Sequence, residues 1–404
     1  MRKFLLCLSI FISMVQVPSY TQSTDTVDAF TTEEFVLNDR HFSVNVDHFN
    51  TCLLVMLSYY YPEQFSLTDT EVKSLIDGYV RGKDVGHRFV FNTNQKAALG
   101  AMLDPYTLES TTVNRVLKFS FSKASNMVGL TIDLRQEGFE IPPDAYASIS
   151  LFYDENSDAV HRFERDVISI VKRRISPLVE FLDKEKQYNF LPHKPLSLYV
   201  TFANNIQSLH GMANDYAQNA VMAYSLASEH DDAVLFFHEL AHLWASVNEV
   251  KANIISEVEK SDKKEKYEEI LKDCAGKIVQ DDELLSKGSI QSESIVDIVN
   301  SIYDASLLGF NEFWAITASK YLFPLYSPAF SESACRFPAG LSGDKITWEH
   351  ARDLFDWISA TNYLDVVRLT ADPQKVIYRE FVLFVLCIGH GLDYALEKSG
   401  EFVQ

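Results

Sequence analysis

The sequence predicts an α+β fold, mostly helical with a small mixed sheet, and three observations carry that expectation. Helical periodicity dominates the second half, from Ile295 to Phe323 and again over Trp348–Ile358 and Val376–Leu396. Two short apolar runs, Leu196–Phe202 and Asn219–Tyr224, have the length of strands and are separated by turn-forming residues. With 47% hydrophobic and 13% aromatic residues, the 404-residue chain can also fill a substantial core.

Residues 1–22 have the layout of a secretory signal peptide. Arg2 and Lys3 precede an apolar run from Phe4 to Val15, and a segment of small and polar residues follows. Cleavage near residues 19 to 23 places the mature chain outside the cytoplasm, secreted or periplasmic. Cys7 lies within the apolar run, too early for a lipoprotein cysteine. No later segment reaches the roughly 18 apolar residues of a membrane span. The net charge of −20 becomes −22 once Arg2 and Lys3 leave with a segment that holds no acid, which argues against nucleic acid as a partner.

Residues 23–155 read as an N-terminal α+β domain of unknown role. It opens on a polar arm to about residue 45, continues with helical stretches at Cys52–Tyr61 and Glu71–Val80, and holds a strand-like run at Met127–Leu134. Its size suits a cover or support for the remainder, residues 156–404. There the expected order is a helix through Phe163–Leu182, the strand Leu196–Phe202, a Gly-Met-Ala-Asn-Asp loop, and the strand Asn219–Tyr224. Asp231 and Asp232 then stand where acids favour a helix start, ahead of an apolar helix Val234–Trp244. The run Glu257–Asp273 is charge-rich and reads as a solvated helical connection. Cys52, Cys274, Cys335 and Cys387 are widely spaced, so a cysteine-only zinc site is not expected, while export allows one or two disulfides.

The chemistry sits in His238-Glu239-Leu240-Ala241-His242. Eleven histidines and 27 glutamates in the chain give about 0.02 chance occurrences of His-Glu-x-x-His. Histidines four apart share a helix face, so both imidazoles can aim at one metal, with Glu239 beside them. Zinc suits two imidazoles with a third protein ligand and one position left for water. That water becomes acidic on the metal, and Glu239 is placed to take its proton as general base and pass it to a leaving amine. Burying two histidines and a glutamate in the apolar run Ala233–Trp244 would otherwise be costly.

For the third ligand, Ala245 and Asn248 exclude the pattern in which Gly and a third His follow within the next six residues. Glu312, the only acid between Ala305 and Ser331, lies in the apolar stretch Leu307–Ala315 and is the chosen ligand. Glu293, Asp297 and Asp304 compete from less apolar settings. Tyr303, Tyr321, Tyr326 and His390 are conceivable oxyanion donors, and none is assigned that role.

An HExxH helix after two strands, followed by a second helix carrying Asn311-Glu312-x-x-Ala315, resembles the glutamate-zincin (gluzincin) metallopeptidases. The resemblance covers roughly residues 156–325. It implies a zincin-like catalytic domain, one Zn2+ per chain on His238, His242 and Glu312, and a peptide or protein substrate. It also implies that the strand near Asn219–Tyr224 is the sheet edge along which an extended peptide pairs. Ile316 stands where thermolysin-like members have an aspartate that orients a zinc histidine, so that partner must come from elsewhere. A catalytically silent binding protein of the same fold is the alternative, against which the intact Glu239 argues. Oligomeric state is not legible.

Overall fold

A computed structural model describes residues 30–62, 67, 69–82, 88–102, 143–184, 194–202, 212–215, 219–226 and 229–244. It also describes isolated residues within 255–273, 315–327 and 353–357, then 382–387 and 390–402. The expected signal segment, the run Met127–Leu134 and Glu312 lie outside these residues.

The fold is mixed α+β. Strands β1 (Phe30–Leu37) and β2 (Arg40–Asp47) form a hairpin, followed by helices α1 (His48–Tyr60), α2 (Thr70–Arg81), α3 (Thr93–Met102) and α4 (Pro143–Lys184). Then come β3 (Leu196–Phe202), β4 (Met212–Asp215), β5 (Ala220–Leu226), α5 (Glu229–Trp244) and, near the C-terminus, α6 (Leu392–Phe402). The five strands make one sheet in the order β1-β2-β3-β5-β4. β2, β3 and β5 run parallel, while β1 and β4 are antiparallel to their neighbours at the two edges.

The segment read as a polar arm is therefore ordered as β1 and β2. Exposed Thr32, Glu34 and Val36 alternate with half-buried Thr31, Glu33, Phe35 and Leu37, as on a strand with one face against protein. Asn38 and Asp39 close the hairpin at φ 49° and 63°, the two positive values that a tight two-residue turn requires. A β-branched side chain pays for that conformation: Asp39→Val is expected to lower stability by about 1–2 kcal/mol in urea unfolding, and Asp39→Gly to leave it intact.

The boundary at 155/156 falls inside a single helix. α4 runs unbroken through the polar run Asp154–Asp158, and β2 pairs with β3 across it. Asn156 explains how so polar a stretch is accommodated. It is buried, its carboxamide accepts from Val90 N at 2.6 Å and donates to Val90 O at 3.1 Å, and it thus fixes the chain before α3 to the middle of α4. A buried amide matched to a backbone peptide loses none of its hydrogen bonds.

α4 is the spine of the molecule. Its buried stripe includes Phe152, Phe163, Val167, Val171, Ile175 and Leu178, against which α1, α2 and α3 pack. Asp47 and Asp69 cap α1 and α2, each accepting the backbone N–H three residues on. β3 alternates buried Leu196, Leu198, Val200 and Phe202 with half-buried Ser197, Tyr199 and Thr201. Residues described between 255 and 273 are mostly helical and exposed, as their charge pattern leads one to expect.

Cys52 and Cys387 are both buried free thiols, so neither supplies the disulfide that export would allow, and Cys274 and Cys335 lie outside the described residues. Burial pushes the Cys52 thiol well above its ordinary value and that of Cys387 up to about 12. Among the described residues no helix is long and apolar enough to cross a membrane.

Candidate metal centre

α5 owes its helix to a buried stripe of Ala233, Phe236, Phe237, Leu240 and Ala241, spaced as one helical face. His238 and His242 each follow a stripe residue by one position, which puts them on the stripe's border. Both are half-buried, whereas Glu239 is buried at 3% exposure. Periodicity alone thus sets two imidazoles at a rim and a carboxylate beneath it.

The geometry is convergent. His238 Nε2 and His242 Nε2 are 3.3 Å apart, with ring planes at 86°. Glu239 Oε1 lies 3.9 Å from His238 Nε2, and one ligand atom from each of the three residues falls within 4.8 Å of the others. Tetrahedral zinc with Zn–N near 2.0–2.1 Å separates neighbouring ligand atoms by about 3.3 Å, the separation of the two imidazole nitrogens. Two imidazole nitrogens at that distance suit a shared cation far better than an apolar interior.

Three contacts fix α5 in place. Tyr224 of β5 stacks edge-on to Phe236 at 6.3 Å, and Phe181 of α4 meets Phe237 at 5.9 Å. The third is ionic: Arg174 of α4 donates through Nη1 to both Asp69 and Asp232, all three nearly inaccessible to water. Asp232 lies six residues, about 9 Å along the helix, before His238. Placed by sequence as a helix-start residue, Asp232 is in the first turn of α5 and is spent on this ion pair. Burial opposes the guanidinium charge, yet the two carboxylates hold its pKa above the usual arginine value. Burial first, and then the charge of Asp232, pushes the Tyr224 phenol well above the tyrosine range.

The sheet edge differs from expectation. Ala220–Ala223 of β5 has β3 on one side and β4 on the other, so β5 is interior there and β4 is the edge. Met212–Asp215 had the residues of a turn, Asn214 and Asp215 included, and only pairing with β5 makes it a strand. The interior place of β5 agrees with its near-continuous apolar run Ala220–Tyr224. α5 packs against both β5 and β4.

Of the other expected participants, Glu312, Glu293, Asp297, Asp304, Tyr303 and Tyr321 lie outside the described residues. The chain just after Glu312 is in the core: Ala315, Ala318, Ser319 and Leu322 are buried at helical spacing. Tyr326 continues this segment and meets Phe237, the neighbour of His238, at 5.8 Å, and Phe181 at 5.6 Å. His390 is engaged elsewhere, 2.7 Å from Asp273 and tilted over Tyr394 at 4.3 Å.

Among the described residues one other group of three such side chains converges, His48, His161 and Glu164. Sequence reading passed over it, although His161-x-x-Glu164 has the spacing of one helical face. No family model, curated protein or solved structure matches this chain.

Proposed function

We propose that the protein is a zinc-dependent metallopeptidase of the gluzincin type, exported by its N-terminal segment. The observation that carries this reading is the pair of His238 and His242 nitrogens at zinc-ligand separation beside a buried Glu239 on one helix. Glu312 is proposed as the third protein ligand, supported by the buried helical residues that follow it and by the contact of Tyr326, further along the chain, with Phe237 of α5.

Zinc held there supplies Lewis acidity, which polarises a substrate carbonyl and brings the pKa of a water towards neutrality. Glu239 takes the proton of the attacking water and delivers it to the leaving nitrogen, so one carboxylate serves as base and then acid. The burial of Glu239 strengthens its charge interactions with the imidazoles. β4, as the edge beside α5, can pair with an extended peptide through its outward backbone groups. The combination of a proton-transferring carboxylate beside the metal ligands favours catalysis over silent binding.

Zinc content tests the site. The His238→Ala/His242→Ala protein is expected to hold one zinc fewer per chain than the parent, and Glu312→Gln to bind that zinc more weakly. Equal zinc in the parent and the double variant overturns the metal centre and the peptidase reading with it.

A further inference from the structure

The second convergent group is built from three distant parts of the chain. His48 opens α1, His161 and Glu164 share a face of α4, and Thr31 of β1 reaches in from the hairpin. His48 Nδ1 is 2.9 and 2.8 Å from the two Glu164 oxygens, and His161 Nδ1 is 3.8 Å from Oε2. Thr31 Oγ1 stands 2.6 Å from Glu164 Oε2 and 3.1 Å from His161 Nδ1. Four donor atoms therefore surround one small volume, most of them at hydrogen-bond separations below the edge of a tetrahedral zinc site, about 3.3 Å, so an ion has to spread them by a few tenths of an ångström.

We propose that this group is a second zinc site, held by His48, His161 and Glu164, with the Thr31 hydroxyl at the fourth corner. Three observations beyond the spacing favour an ion. Glu164 is fully inaccessible to water and His48 nearly so; Thr31 and His48 hydrogen-bond the Glu164 oxygens, and a cation between the imidazoles would offset the buried carboxylate's charge as those protons do. His161 has 38% of its side chain exposed and gives the ion a way in. The far nitrogen of His161 faces the Tyr153 hydroxyl at 3.3 Å, the kind of outer partner that sets the tautomer and direction of a metal-bound imidazole. His48 is in turn stacked on Tyr153 at 5.0 Å, which fixes its plane.

Two imidazoles and one carboxylate select zinc over calcium or magnesium, which take oxygen ligands. Two histidines and a glutamate are a set that catalytic zinc sites also use; here the Thr31 hydroxyl stands in the fourth position, where such sites keep a water, so the ion would serve the fold. Its ligands tie β1 and α1 to α4 across more than a hundred residues, where closing a loop in the folded state counts most. The ion takes the place of the protons that otherwise hold these atoms together. This proposal is independent of the peptidase reading, because no ligand is shared.

The test uses the His238→Ala/His242→Ala protein, stripped with chelator and titrated with Zn2+ alone. One zinc per chain is expected to bind and to raise the melting temperature, and adding His161→Ala on that background is expected to weaken binding by more than about 100-fold, beyond the loss of an outer partner. Glu164→Gln, nearly isosteric, serves as the second variant with the same expectation should His161→Ala not fold. Absence of zinc binding at micromolar free Zn2+ overturns the proposal, and so does binding that neither substitution weakens. One zinc in the parent and none in the double variant leaves the HExxH site standing and removes this one.

Discussion

Glu239→Gln is expected to reduce peptide hydrolysis about 100- to 10,000-fold while zinc content stays at the parent value. The two measurements separate Glu239 from its neighbours: it is the buried carboxylate beside the imidazoles and is assigned proton transfer, with the ligand roles given to His238 and His242. Glutamine keeps the shape and hydrogen-bonding reach of the side chain but cannot hold the proton. A peptide library screened with the parent and the variant gives the ratio directly, and metal analysis of the same samples gives the zinc. Equal hydrolysis by both proteins removes Glu239 from the mechanism; loss of zinc in the variant makes it a ligand.

Arg174→Met is expected to cost about 3–5 kcal/mol of stability, the range for removing one partner of a buried ion pair. Asp69 and Asp232 are each 1% exposed, so neither carboxylate can turn to water when the guanidinium is gone. Methionine fills much of the same volume, which keeps the loss electrostatic. The rescue is informative: Asp232→Asn placed on Arg174→Met should recover part of the loss, because one buried charge is then neutral. Urea unfolding monitored by tryptophan fluorescence and circular dichroism reads both. A cost under about 1 kcal/mol would mean that the carboxylates are compensated by something other than Arg174. The consequence reaches the candidate metal centre, since this ion pair anchors the N-terminal turn of the helix that carries His238.

Local signals survived into the structure where a single element is enough to express them. The alternation in Leu196–Phe202 gave β3 at its observed limits, and the apolar stripe of Ala233–Trp244 gave α5, which begins a few residues earlier at Glu229. The HExxH spacing needs only a helix to bring two imidazoles together, because residues four apart are neighbours on any helix. Those parts of the candidate site were legible before any tertiary contact was known.

Other features depend on partners that no window of sequence contains. β4 is a strand because β5 offers it a ladder, although Met-Ala-Asn-Asp by itself is turn chemistry. The arm before residue 45 is ordered because β2 pairs with β3 some 150 residues later. The polar run Asp154–Asp158, which spans the expected boundary at 155/156, is helical, with Asn156 bonded to the Val90 backbone. Arg174 can be buried because Asp69 and Asp232 reach it from the starts of two other helices.

The sequence by itself determined the identity of the chemistry at α5: two imidazoles, a carboxylate, and the apolar stripe that sets them at a rim. Tertiary structure alone decided which strand is the sheet edge beside them, what anchors their helix, and that His48 and Thr31 meet His161 and Glu164. The division has one physical reason. Helical and strand periodicities act over a few residues and are written locally, whereas ladder pairing, buried charge compensation and convergent ligands join residues whose separation along the chain carries no signal.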